Sequence, residues 1–217
     1  MALAKGTMRS IGSYCLILGM SLFGVAAAAQ SGPNMLSPNE QAHGWKLLFD
    51  GKSLDGWQPY VTFTPPATGD WAVADGAIVC PGTSSGWLGS NQTFTNFELK
   101  LQFRGSEKTN SGVFLRSEKE GAPHKTGYEL QIWDYQPAGY NTGSLVGSLK
   151  ATPATILDGQ WNDYDITADG DHYVIILNGK AILDGHDSKH TEGVIGFQCQ
   201  KGNKIEFRDI RLLPLQK

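Results

Sequence analysis

Cysteine is scarce, with three in 217 residues, so a small disulfide-framework fold is excluded. Positive charge is not in excess either. Lys and Arg number 18 against 21 Asp and Glu, the net charge is −3 and the pI is near 5.9. No basic patch suggests a nucleic-acid partner. Helical periodicity is lacking along the chain, and so is any internal repeat. Nothing resembles a phosphate loop, a nucleophilic Ser elbow or a dinucleotide fingerprint. An apolar run long enough for a good membrane span is missing as well. The stretch Ile11 to Val25 is too short and too rich in Gly and Ser.

That stretch has another reading. Lys5 and Arg9 form a basic start, and Ala26 to Ala29 offer small residues where a processing peptidase cuts. Residues 1–29 are therefore expected to be a signal peptide, with cleavage near Ala29 and export to the periplasm or the medium. Cys15 lies inside the apolar run, so it is not placed for lipid attachment. A Pro/Asn/Ser linker is expected over 30–44, with a short helical turn near Gln41 to Trp45, and one domain over 45–217. Cys80 and Cys199 remain after cleavage. In an exported chain they can bridge, and each equally suits a small apolar place in a strand.

What is abundant is glycine, 27 residues, mostly at turns. Asp75-Gly76 and Asn178-Gly179 are two-residue hairpin signals between apolar runs, and Asp169-Gly170 marks a third turn. Phe97, Leu99, Leu101 and Phe103 alternate with Glu98, Lys100, Gln102 and Arg104, as in a strand buried on one face. About a dozen such strands and no helices leave an all-β sandwich or a barrel, and the Phe97–Phe103 strand, apolar on one face only, is what a two-sheet antiparallel sandwich requires. The stretch Tyr135 to Gln160 is broken by Pro and Gly and reads as a long irregular loop of the kind that carries function.

One strand differs from the rest. In Gly127-Tyr-Glu-Leu-Gln-Ile-Trp-Asp134, Tyr128, Leu130 and Ile132 share one face, and Glu129, Gln131 and Trp133 share the other. A carboxylate, an amide and an indole in a row supply hydrogen bonds and a flat apolar platform, which suits a sugar ring. The strand Ser111 to Arg116 lies just upstream. If the two pair, Arg116 is expected beside Glu129. The competing reading is a half-buried sheet with a wet polar face and a structural Arg116–Glu129 pair.

Seven motifs stand in order: Leu48-Phe-Asp-Gly-Lys-Ser-Leu-Asp-Gly-Trp57, Phe97 to Arg104, Asn110 to Arg116, Gly127 to Ile132, Trp161 to Ile166, Leu177 to Lys180, and Ile205 to Leu212. Together they resemble the 3-keto-disaccharide hydrolase family, formerly a domain of unknown function. The resemblance implies a concanavalin-like jelly roll with a concave sugar-binding face, and cleavage of glycosides already oxidised at C3. One departure is visible. Many members are similar to Gln-x-His-Gly before the last strand, whereas this chain reads Gln198-Cys-Gln-Lys-Gly202. A catalytic role for that His elsewhere would fall here to another group, or to another substrate.

The chemistry of the candidates fits that implication. Ordinary glycosidases need two carboxyl groups about 5–5.5 Å apart, or about 6.5–9.5 Å for inversion. Two places after Glu129 stands Gln131, and Asp134 lies roughly 16 Å along an extended strand. A C3 ketone relaxes the requirement, because it makes the C2 proton acidic. One base, donors for the enolate oxygen and a proton source suffice for elimination followed by hydration. Glu129 is the expected base, with Arg116 and Gln131 as donors. Asn110, Trp133, Asp134 and Gln198 are the expected substrate contacts. The alternatives are a non-catalytic lectin-like module and a conventional endo-glycanase. Trp57 and Trp87 read as packing residues rather than sugar platforms. His186 and His190, near Asp184 and Asp187, have metal-like spacing but sit in a polar loop. No metal or other cofactor is expected, although loop carbonyls could hold a structural calcium without leaving a motif. The partners expected are the oxidised sugar and a separate oxidoreductase that makes it.

Overall fold

The computed structural model describes residues 1–2, 32–61, 68–106 and 108–216. The targeting signal read at 1–29 falls almost wholly outside these residues, and so do Cys15 and the Pro65-Pro66 turn. No helix among the described residues is long and apolar enough to cross a membrane.

The chain forms two antiparallel sheets. The larger is built from β1 (Lys46–Leu47), β3 (Ala72–Ala74), β4 (Ala77–Cys80), β6 (Phe97–Gly105), β9 (Asn162–Asp169), β10 (His172–Leu177), β11 (Lys180–His186) and β13 (Ile205–Pro214). Its order is β11-β10-β9-β6-β13-β4-β3, with β1 also on β13. The smaller holds β2 (Trp57–Tyr60), β5 (Gly86–Phe94), β7 (Ser111–Ser117), β8 (Tyr128–Ile132) and β12 (Gly193–Cys199). Its order is β2-β5-β12-β7-β8.

Alternation decides which face each strand buries. Phe97, Leu99, Leu101 and Phe103 of β6 meet Tyr128, Leu130 and Ile132 of β8 and Ile195 and Phe197 of β12 in one core between the sheets. The Asp75-Gly76 and Asn178-Gly179 turns have positive φ at both residues, the geometry whose twist matches the strands they join. Cys80 and Cys199 form a disulfide from β4 to β12, with Cα atoms 5.8 Å apart, so it staples one sheet to the other. A link closing a loop of this length contributes about 2–5 kcal/mol.

Two expectations change. The supposed linker carries α1 (Pro38–Ala42), earlier than the turn expected at 41–45. Ser37 accepts from the Glu40 N–H and the Glu40 side chain accepts from Ser37, a capping box readable in Ser-Pro-Asn-Glu. The segment is docked on the larger sheet. Glu40 pairs with Arg211 at 2.9 Å, and Asn34 donates to the Gly76 carbonyl at 2.8 Å. A second short helix, α2 (Pro123–Thr126), precedes β8. Within the 135–160 stretch, Gly143 to Val146 runs along β8. The Gln131 N–H donates to Ser144 at 2.9 Å and the Val146 N–H to Glu129 at 2.9 Å, so the edge of β8 is covered.

Arg116 is the main correction. β7 and β8 pair as expected, but Phe114 stands opposite Glu129. On the other side, β12 matches Val194 to Ser117 and Gly196 to Phe114. Two steps of β12 thus span three of β7, a one-residue bulge, and Arg116 sits in it with φ +54. Gly193 and Gly127 hug this backbone. A Cβ on either would lie within 2.5 Å of Arg116 or Ser117 main-chain atoms. The bulge breaks the alternation and turns the guanidinium inward. It donates to the Thr95, Gly170, Ala168 and His190 carbonyls, to Asn96 Oδ1 and to the Tyr173 hydroxyl. It also lies over the Phe97 and Tyr173 rings. Arg116 is therefore not beside Glu129 and does not donate from its face.

Arg116→Met strands these buried acceptors. It is expected to lower stability by about 3 kcal/mol in denaturant unfolding. A variant as stable as the parent would contradict a structural role.

Candidate functional site

The face of the smaller sheet that points away from the core carries the candidate residues. Along it the register sets two rows side by side. Tyr60, Trp87 and Gln198 are cross-strand partners in one row, and Gly112 and Gln131 continue it on β7 and β8. Gln58, Gly89, Gly196, Phe114 and Glu129 make the next row. The glycines make room for large side chains. A Cβ on Gly89 or Gly196 would come within 2.9 Å of the Trp87 ring. Trp87 fills that trench, fully buried, with Tyr60 stacked on it at 4.7 Å and the Phe114 edge at 5.7 Å. Tyr60, Trp87, Phe114 and Val194 thus form a second apolar cluster, separate from the core between the sheets.

Glu129 stands at the edge of this cluster, 8% exposed. Of the strand residues in these two rows it is the one carboxylate. Burial raises its carboxyl from 4.5 to about 7, and a hydrogen bond with the Gln198 side chain works the other way. On this face four buried side-chain atoms find no partner: Gln131 Oε1 and Gln198 Oε1 beside Glu129, and Trp87 Nε1 and the Tyr60 hydroxyl farther across the sheet on β5 and β2. Two amide acceptors beside a carboxyl poised near neutrality, on a face that continues to an indole donor and a hydroxyl, can bind a polyhydroxylated ring and take a proton from it.

The other candidates divide. Gln131 and Gln198 are brought to Glu129. Trp133 follows the strand end, half-buried. Ile132 before it faces the core, and the charge of Asp134 after it helps burial raise the core Tyr164 hydroxyl, so Trp133 continues the outer face. Asn110, one step before the Ser111–Ile132 partners, falls level with Trp133, and its N–H donates to Asn203 at 2.9 Å. Asp134 belongs to the Tyr164 side, and the structure does not bring it to Glu129. Tyr60 and Phe114 are not among the expected site residues, and Trp87 packs as expected, but on the outer face. Trp87 beside Leu88 alternates like any strand, and only Gly89 and Gly196 hint that an indole lies over them. Trp57, by contrast, packs on Phe197 in the core as expected.

His186 hydrogen-bonds Asp171 at 3.1 Å, His172 bonds Asp184 at 2.7 Å, and the two rings stack on the surface. Among the described residues no group of three or more His, Cys, Asp or Glu could hold a metal ion.

Residues 44–213 match the 3-keto-alpha-glucoside-1,2-lyase-like domain. The chain belongs to that family. A relative from Bacteroides thetaiotaomicron, a 3-keto-disaccharide hydrolase, is 29% identical over 97 residues. The match takes in 41% of this chain and 33% of that protein, so this chain accounts for about a third of the relative's length. A crystal structure of a candidate glycosyl hydrolase from Parabacteroides distasonis superposes with a TM-score of 0.73 at 23% identity, covering 85% of this chain and all of that one. A carbohydrate-binding module of Bacillus subtilis has the same fold, with a TM-score of 0.55, 18% identity, and coverage of 72% of this chain and 94% of that one. This member of the 3-keto-alpha-glucoside-1,2-lyase-like family is thus a concanavalin-like two-sheet sandwich, the fold that the resemblance implies.

The raised Glu129 carboxyl carries a stability consequence. The folded protein holds this proton more tightly than the unfolded chain does. The contribution is therefore complete below about pH 4.5 and lost as pH rises through about 7. Glu129→Gln is expected to be more stable than the parent by roughly 3 kcal/mol at pH 8, with the difference vanishing near pH 4. Denaturant unfolding at both pH values measures it. An equal difference at both would contradict the burial.

Proposed function

We propose that this protein is an exported enzyme that cleaves 3-keto glycosides, with a 3-keto disaccharide as substrate and Glu129 as the base that takes the C2 proton. The observation that carries this reading is a buried carboxyl, raised to about 7 by burial, beside the unpartnered amide oxygens of Gln131 and Gln198 on one sheet face. Family membership and the name of the Bacteroides thetaiotaomicron relative support the substrate class. A lone carboxylate suits elimination better than the two-carboxylate chemistry of ordinary glycosidases.

In the proposed sequence the C2–H bond breaks and its proton passes to Glu129. The electron pair spreads over C2, C3 and the ketone oxygen as an enolate. With Arg116 turned inward, the Gln131 amide is the donor assigned to that oxygen, and the Gln198 amide orients the base. The enolate collapses to a C1–C2 double bond, the C1 substituent leaves and takes up a proton, and the ketone is restored. Water then adds at C1 and a proton returns to C2, which makes the net reaction a hydrolysis. Trp133 and Asn110, farther along the same face, are assigned to the departing sugar. A separate oxidoreductase supplies the ketone. Export is supported by the basic, apolar and small-residue order at the N-terminus and by the Cys80–Cys199 link, a kind that persists in oxidising compartments.

Turnover of a 3-keto disaccharide, its unoxidised parent and a polysaccharide by the purified protein tests the reading. Release of 3-keto sugar from the first alone is expected, and Glu129→Gln should lower kcat by about 10²-fold or more with folding intact. Binding without turnover would point to a lectin-like module, and cleavage of the unoxidised parent to an ordinary glycosidase. Either outcome overturns the proposal.

A further inference from the structure

Glu129 and Gln198 are not on neighbouring strands. β7 runs between β8 and β12, so the two backbones are roughly 10 Å apart. For the two side chains to meet, one must cross over β7, and the crossing is visible at Gly112. A Cβ built on Gly112 would stand 3.0 Å from Glu129 Cγ and 3.1 Å from Glu129 Oε1. The Gly112 partner across the ladder is Gln131, so the Glu129 side chain leans diagonally into space that any other residue at 112 would fill. We propose that Gly112 is a positioning residue: the gap left by its missing side chain is the slot through which Glu129 reaches Gln198, and closing it displaces the carboxylate.

The glycine is not needed for its backbone. Gly112 has no left-handed φ, so alanine fits the strand conformation. What resists a methyl group is Glu129 and, at 3.2 Å, the Leu130 carbonyl. The carbonyl is fixed in the ladder, so the flexible Glu129 side chain must give way. Among the described residues no charged side chain bears on its proton. Phe114 and Gly112 on β7, Gln198 on β12 and Val146 beside β8 are its neighbours, and burial and the Gln198 hydrogen bond are what bear on its proton. A methyl group at 112 therefore drives the carboxyl off Gln198 and toward water.

The catalytic part of this inference rests on Glu129 being the base, but the geometric part does not. Two readouts separate them. The Glu129 carboxyl is followed by carbon NMR across pH in protein labelled at glutamate, its signal assigned as the one lost in Glu129→Gln. Gly112→Ala is expected to fold and to move the titration midpoint from about 7 by roughly one pH unit or more toward the ordinary carboxylate range. With a 3-keto disaccharide, kcat should fall by about 10- to 100-fold with KM changed far less, because the base is misplaced while the sugar contacts remain. Gln198→Ala, which removes the hydrogen bond that works against burial and leaves the slot open, should move the midpoint the other way, upward from about 7, and an unmoved midpoint there overturns the bridge if Gly112→Ala does not fold. An unshifted midpoint in a folded Gly112→Ala protein overturns the slot, whatever the activity. A parent protein inert on the 3-keto substrate, with the midpoint still moved in Gly112→Ala, would sink the enzymatic reading and leave the slot standing.

Discussion

The guanidinium of Arg116 lies between the two sheets, received by four carbonyl oxygens, the Asn96 amide oxygen and the Tyr173 hydroxyl. A buried cation with this many acceptors fixes everything around it. It holds the bulge in β7, the bulge sets the register between β7 and β12, and that register aligns Gln198 with Gly112. Had β7 kept its alternation, a cation would stand next to Glu129 and hold its carboxyl ionised at low pH, as opposite charges close together do. With Arg116 withdrawn, desolvation wins, and the carboxyl rises to about 7. A strained left-handed residue inside the sandwich thereby determines the acidity of a side chain on its outer face.

The outer face of a sheet in a sandwich is ordinarily wet. Here Trp87 and Phe114 are buried on it, and their presence lowers the local dielectric for Glu129 much as a second core would. Glycines make this arrangement sterically feasible. Gly89 and Gly196 let the indole lie flat on the strands, and Gly112 lets a carboxylate cross one. The disulfide lies directly behind the site, since Cys199 follows Gln198 on β12 and is pinned to β4. Rigid backbone beneath a mobile ligand is what positioning chemistry requires.

Much of the fold was legible because it depends on local regularities. The Phe97–Phe103 alternation, the Asp-Gly and Asn-Gly turns and the order of the seven motifs are all readable from neighbours in sequence. The capping box at Ser37 was equally readable, but the prolines and asparagines around it suggested a linker. The bulge was not legible, for Val113-Phe-Leu-Arg116 continues the period-2 pattern and only pairing with the distant β12 reveals the extra residue. The same limit hid the outer-face position of Trp87 and the Gln198–Gly112–Glu129 line, which three strands far apart in sequence bring together. Glu129 and Gln131 stand out in the sequence because a carboxylate and an amide alternate with apolar residues along one strand, and Gln198 because it opens the segment where this chain departs from the family pattern.

The decisive step proposed for this site is removal of a proton from carbon by Glu129. Solvent exchange at C2 of a free 3-keto sugar, followed by proton NMR in heavy water across pH, isolates that step because no leaving group is involved. The protein should catalyse the exchange, with a rate that rises with pH, levels off above about 7 and collapses in Glu129→Gln. Equal exchange by the parent and Glu129→Gln, or a rate that does not change between pH 5 and 8, would contradict it.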